Sequence, residues 1–220
     1  VILDEKGKVI FKQEYSRSYE FAEGVDWVDD NKVVFGTFKT IFMIDIRGKE
    51  IWHKKIEHPI ECVSCSRSNK LIAIGCADCV VILDSNGNIR WSYEVQGDVK
   101  VIAWSPNGER LIVASMGKST GGIYAFSKDG RLLWRFSLSK ELQGRPIHIS
   151  WGLLGNYVLL IYGLKVELRN KDGKLIKVLY HVPYKTEKGK RYILDWIVGG
   201  ALSPSKIKMV LILHNYSEGL

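Results

Sequence analysis

Five segments of this chain share one frame: VILDEKGKVIF, FMIDIRGKEIW, VILDSNGNIRW, YAFSKDGRLLW and VELRNKDGKLIK. Their glycines, Gly7, Gly48, Gly87, Gly130 and Gly173, stand 41, 39, 43 and 43 residues apart. A unit that recurs in phase every forty residues or so cannot bury its apolar face alone. Such a chain folds by stacking copies of one supersecondary unit.

Each copy reads as a hairpin: an apolar, β-branched strand, a polar turn carrying glycine, and a second strand that alternates apolar with charged residues. The glycine allows the positive φ such turns need. Asp4, Asp45 and Asp84 stand where the first strand ends and can accept from turn amides, with Ser127 and Asn170 in the same place in the other copies. Four residues beyond the glycine come Phe11, Trp52, Trp91 and Trp134, large enough to cover the gap between neighbouring sheets. The copy at Gly173 has Lys177 there, which predicts a more exposed outer strand.

A second hairpin precedes each of these: DWVDDNKVVFG, SCSRSNKLIAIG, AWSPNGERLIVAS, SWGLLGNYVLLIYG and DWIVGGALSPSKIKMVLIL. They align on a column of Trp27, Trp104, Trp151 and Trp196, with Cys65 in the second copy. Four strands per repeat of this length make a propeller blade. The expected fold is all-β: a five-bladed β-propeller of four-stranded antiparallel blades, one domain over residues 1–220. The blades fall near 16–56, 57–95, 96–138, 139–180, and 181–220 together with 1–15. The chain starts on the third strand of a blade and finishes after the second strand of one, so the two ends are expected to share a blade that closes the ring and removes free edges. The competing expectation is an arc of a ring with six to eight blades.

The frame of Leu-Asp, turn glycine and Trp resembles the blades of the WD-repeat and quinoprotein-like β-propeller superfamily along the whole chain. Typical WD repeats also carry a Trp-Asp dipeptide and a Gly-His pair, and typical quinoprotein repeats a Thr before the turn glycine; this sequence has neither feature. The resemblance implies an architecture rather than a chemistry. For a quinone-dependent dehydrogenase it would imply eight blades, adjacent cysteines and a calcium site, none of which is visible here. No cofactor is expected.

Cys62-x2-Cys65 and Cys76-x2-Cys79 have the spacing of a zinc ribbon. The repeat frame argues otherwise. Cys62 and Cys65 fall on one strand at an odd separation, which points them to opposite faces, and CVSC has no turn residue. Three readings stand: buried core thiols, a disulfide between Cys76 and Cys79 across an Ala77-Asp78 hairpin, and a metal site. The repeat favours the first, so no metal is expected. A glycosidase would need two or three carboxylates converging on the central channel, but only Asp26 and Asp195 recur beside the Trp column, where hydrogen bonding explains them. No phosphate loop, nucleophile elbow or zinc-protease motif occurs, and the histidines at 53, 58, 148, 181 and 214 show no ligand spacing.

What remains is surface. Formal net charge is +8, from 32 Lys and Arg against 24 Asp and Glu, which draws the protein toward polyanions. The longest inter-blade segment, HVPYKTEKGKRY, holds Lys185, Lys188, Lys190 and Arg191 between Tyr184 and Tyr192, and Arg17, Lys39, Lys118, Lys140, Arg145 and Lys165 fall in loops of the same face. Glu57, Asp78, Asp98, Glu141 and Glu218 dilute the field. The leading expectation is a non-enzymatic interaction scaffold that presents this loop face to a protein or macromolecular complex, acting as a monomeric ring or as a module of a larger assembly. The alternative is RNA or ribonucleoprotein binding through the same basic groups and tyrosines, and behind both a carbohydrate-active or redox enzyme. The most apolar stretch, Trp151 to Leu164, is broken by Gly152, Gly155 and Asn156 and is shorter than the roughly 18 residues of a membrane span. The chain opens on VILD without a basic or apolar leader, so the expected location is cytoplasmic. Scarce Gln beside plentiful Lys and Glu resembles heat-adapted compositions.

Overall fold

A computed structural model describes residues 1–3, 5–12, 23–117, 121–138, 146–162, 165–181, 184–187, 190–193, 195–202 and 209–215, with the backbone alone from Tyr180 onward. Among them there is no helix, and so none long and apolar enough to cross a membrane.

The chain opens with a short hairpin, β1 (Ile2–Leu3) and β2 (Val9–Phe11). Four antiparallel four-stranded sheets follow. Blade I holds β3 (Gly24–Asp29), β4 (Lys32–Gly36), β5 (Thr40–Asp45) and β6 (Glu50–Lys55). Blade II holds β7 (Ile60–Ser66), β8 (Leu71–Cys76), β9 (Cys79–Leu83) and β10 (Ile89–Glu94). Blade III holds β11 (Asp98–Trp104), β12 (Arg110–Met116), β13 (Gly121–Ser127) and β14 (Leu132–Leu138). Blade IV holds β15 (Pro146–Trp151), β16 (Tyr157–Tyr162), β17 (Lys165–Asn170) and β18 (Leu175–His181). Two hairpins end the chain: β19 (Tyr184–Glu187) with β20 (Lys190–Ile193), and β21 (Asp195–Leu202) with β22 (Met209–Asn215).

In every blade the strands are neighbours in chain order, and the central two are the most apolar. LIAIGC of β8 and CVVIL of β9 are buried almost throughout because both faces meet another blade. The core therefore lies between blades. One cluster joins Met43 and Ile41 of blade I to Ile72 and Ile74 of blade II. The next joins Val80 and Ile82 to Val113 and Phe126, and a third joins Ile112 and Ile123 to Val158 and Leu160.

The fold is a five-bladed propeller. Ile2 and Phe11 of the opening hairpin pack with Val33 and Ile44 of blade I, and β21 packs against β15 and β16 of blade IV. The half-blades β1–β2 and β21–β22 thus flank the four complete sheets on opposite sides and supply the four strands of the fifth blade.

Both aromatic columns of the repeat join one blade to the next. On the outer strands, Trp52 Nε1 donates to Ser85 O at 3.0 Å, Trp91 Nε1 to Lys128 O at 2.8 Å and Trp134 Nε1 to Lys171 O at 3.0 Å. Each acceptor stands two residues before the turn glycine of the following blade, and the indole lies over that glycine. A Cβ at Gly130 would come 2.9 Å from the Trp91 ring, and the backbone there sits at φ +89°. Glycine is thus required at this position twice over, by space and by conformation. Phe11 covers Gly48 in the same way, so blade I receives β2 as it would the outer strand of a preceding blade.

On the innermost strands, Trp104 Nε1 donates to Ser64 O at 3.3 Å and Trp151 Nε1 to Ala103 O at 3.1 Å. Cys65 leaves blade II without an indole in this column. There the bond is made from the other side: Asp26 Oδ2 of blade I accepts the backbone N–H of Cys65 at 2.8 Å.

Candidate functional site

The blades end on two faces, and the one built from inter-blade connections and β-turns joining second to third strands is tightly knit. Ile56 and Ile60 N–H groups donate to Lys39 O and Phe38 O, Ala77 N to Pro59 O, and Val95 N to Asp78 O, at 2.8–3.0 Å. Tyr124 Oη accepts from Gln96 N at 3.2 Å, and Ser115 Oγ donates to Gln96 O at 2.8 Å. These bonds satisfy backbone groups of the described loops and tie the connections between blades I, II and III to the blade beside them. Phe38 stands 54% exposed on this face, with Lys39 Nζ 5.9 Å from its ring centroid. Glu57, His58 and Asp78 are exposed around it.

The segment read from sequence as the longest inter-blade loop is itself structured. Residues 184–187 and 190–193 pair as the hairpin β19–β20, inserted between the outer strand of blade IV and β21. Its register sets Tyr184 opposite Ile193, Lys185 opposite Tyr192, Thr186 opposite Arg191 and Glu187 opposite Lys190. This pairing was hidden because the hairpin lies outside the repeat. Of the expected binding residues, Tyr184, Lys185, Lys190, Arg191 and Tyr192 therefore share one ribbon, and Lys39 lies in the knit loops of blade I. Lys165 opens β17. Lys188, Arg17, Lys118, Lys140 and Arg145 lie outside the described residues.

All four cysteines are free thiols. Cys65 packs into the core between blades I and II, whereas Cys62 packs into the core between blades II and III and donates to Val99 O at 3.6 Å. The two thus point to opposite faces of β7, as their odd spacing requires. Burial pushes the Cys62 thiol up to about 12 and raises Cys65 further, with the Asp26 carboxylate adding to it. Cys76 and Cys79 flank the Ala77-Asp78 turn and are hydrogen-bonded to each other, which together with burial holds Cys76 far above the ordinary thiol value. The same bond lowers Cys79, against opposition from burial and from Asp78, Glu94 and Glu57. Among the described residues no three His, Cys, Asp or Glu side chains are placed to hold a metal ion.

Asp26, one of the acids beside the Trp column, is engaged by backbone: Oδ1 accepts from Trp27 N at 2.7 Å and Oδ2 from Cys65 N. Nearby on the innermost strands, Lys100 bridges Glu61 at 2.5 Å and Asp98 at 3.2 Å. Partial burial disfavours its ammonium, but the bonds to Glu61 and Asp98 outweigh that and raise its pKa. A second pair is deeper. Glu167 Oε2 accepts from Arg169 Nε and Nη2 at 2.9 and 2.8 Å, and the guanidinium lies 4.3 Å from the Phe136 ring centroid of blade III. Sequence reasoning missed both groups. The only signal was an acid or base at positions where the repeat is otherwise apolar.

A family model described as outer membrane protein assembly factor BamB, PQQ_2, matches residues 2–148 and, in a second overlapping placement, 37–180. The chain belongs to this family. Of the two repeat types that the sequence resembles, the match falls on the quinoprotein-like one. No curated protein matches the chain.

Proposed function

We propose that this propeller is a non-enzymatic interaction scaffold whose loop face docks a protein or a multi-protein complex, with the β19–β20 hairpin as the principal contact. The observation that carries this reading is that hairpin: a ribbon outside the repeat, inserted between the outer strand of blade IV and β21, on the side where blades I to III knit their connections by hydrogen bonds. Exposed Phe38 adds an aromatic contact of the kind enriched at interfaces. The family's description, that of an assembly factor for outer membrane proteins, agrees with a role exercised on other polypeptides.

The pairing of Lys185 with Tyr192 and Thr186 with Arg191 also favours a second reading, a single-stranded RNA ligand held by phosphate contacts and base stacking. One experiment separates them. Pull-down from native extract is run with the wild-type protein and with a variant in which Lys185, Lys188, Lys190 and Arg191 are replaced by Ser. Loss of a stoichiometric polypeptide by the variant supports the scaffold, and an unchanged partner set refutes the hairpin's role. Binding to a mixed RNA pool that collapses as salt rises would favour RNA instead.

A further inference from the structure

One of the inter-blade staples is unfilled, and its seat is intact. The seat has three parts: the turn glycine, the carbonyl two residues before it, and the apolar residue of the first ladder pair beyond the turn. In blades I, II and III that last residue is Ile44, Leu83 or Phe126, paired with Glu50, Ile89 or Leu132. They are 8%, 0% and 0% exposed because the preceding blade's Phe11, Trp52 or Trp91 covers the turn. The Trp91 and Phe126 rings, for example, stand 5.5 Å apart. In the fifth blade the equivalents are Gly7, the Glu5 carbonyl and Leu3, which pairs with Val9. Leu3 is 53% exposed, and among the described residues nothing stands within 4 Å of a Cβ built on Gly7.

The residue that should cover this seat is Lys177. It holds the register of the outer-strand tryptophans: Lys177 faces Leu168 across the ladder just as Trp134 faces Ala125 and Trp91 faces Ile82. Lysine, with no ring, cannot fill an indole's place, and Lys177 is exposed. Exposed apolar side chains gather in the two blades that border this seam. Ten of the fourteen large hydrophobics exposed among the described residues belong to blade IV or to the segment from Val1 to Ile10.

We infer that the seat formed by Leu3, Gly7 and the Glu5 carbonyl binds a tryptophan side chain of a partner polypeptide, presented in an extended, acidic segment. Of the four filled copies, blade I seats Phe11. The three that define the ligand, in blades II, III and IV, each seat an indole and offer its N–H a carbonyl at 2.8–3.0 Å, with Arg169 in the apolar residue's place in blade IV. The charge around the seat selects the flanks: Lys174 and Lys177 stand on the blade IV hairpin that borders it, where Asp172 is already engaged by Arg110 and Lys171, favouring acidic residues on either side of the tryptophan. This seat lies at the turn ends of the blades, opposite the β19–β20 hairpin, so it stands or falls independently of the loop-face reading.

The test uses the full chain, 15N-labelled, and a five-residue probe peptide, Glu-Asp-Trp-Asp-Glu. Amide resonances of Leu3, Gly7 and Lys177 are expected to shift on titration, and the same peptide with Ala in place of Trp to bind about tenfold more weakly or worse. Lys177→Trp fills the seat from within the chain and should abolish the shifts, whereas Lys177→Ala should keep them. If Lys177→Trp does not fold, Gly7→Asn serves instead, since Asn tolerates positive φ and carries a side chain into the seat. Equal binding of the two peptides, shifts elsewhere only, or undiminished binding by the seat-filled variant overturns the inference. Concentration-dependent shifts at Gly7 without peptide would assign the seat to a second copy of this chain and overturn it equally.

Discussion

Trp91 offers the sharpest test of the idea that indoles hold this ring together. Its side chain is half-buried against blade III, lies over Gly130 and donates to Lys128 O at 2.8 Å. Truncating a fully buried Trp to Ala costs about 3–5 kcal/mol; for a half-buried ring, packing accounts for about 2 kcal/mol of that. The lost hydrogen bond adds about 1 kcal/mol, for a total of ~3 kcal/mol. At this chain length a change of that size lowers Tm by about 6–12 °C. Trp91→Phe keeps most of the ring and removes only the donor, so its drop should be about 2–4 °C. Calorimetry with circular dichroism measures both. A Phe variant as damaging as the Ala variant, or an Ala variant within about 1 °C of wild type, would show that the indole is ornament rather than a join. Lys177→Trp, which completes the missing member of the series, should move Tm upward.

The other expectations concern single side chains. Asp26→Ala removes the acceptor of two backbone N–H groups and should cost about 1–3 kcal/mol by urea denaturation, with Asp26→Asn recovering part of it. Glu167→Ala leaves the Arg169 guanidinium without its buried carboxylate and should cost about 3 kcal/mol, more than removing the exposed Glu109 of the Lys128 pair. The Cys62 thiol ionises near 9.0 when unfolded but is held up to about 12 in the folded chain. Ionisation therefore favours the unfolded state as pH rises, and the stability this group contributes is intact below pH 9 and lost between pH 9 and 12. The urea midpoint should fall across that range, and less steeply in Cys62→Ala.

The architecture was legible because the same solution is written five times. Gly48, Gly87, Gly130 and Gly173 announce the turns, and Trp52, Trp91 and Trp134 announce large side chains with something to cover. What they cover was not legible, since each indole's acceptor lies 33 or 37 residues away in another blade. A repeat shows that a residue recurs, not which copy it touches. The substitution of Asp26 for an indole at the blade I–II junction is invisible for the same reason: the donor stays in the later blade but the side chain that makes the bond comes from the earlier one, while the sequence shows only a Cys in a Trp column. The odd spacing of Cys62 and Cys65 could be read correctly because strand alternation is local geometry. The β19–β20 hairpin escaped notice because its Lys-rich composition resembles a solvated loop, and only pairing distinguishes the two.

The outer-strand staples all point one way around the ring: an aromatic side chain leaves each of β2, β6, β10 and β14 and lands on the turn of the blade that follows. The inner-strand indoles of Trp104 and Trp151 reach back to the blade before. The joins therefore have a polarity that the pseudo-symmetric backbone does not suggest. Part the ring between blades III and IV, and one lip is left with the bare indole of Trp134 at its outer edge, the other with a glycine turn there and the bare indole of Trp151 at its inner edge. The two lips are complementary without being alike, so separated arcs of this protein would re-form along the original seam in the original sense, and would resist joining head to head or tail to tail.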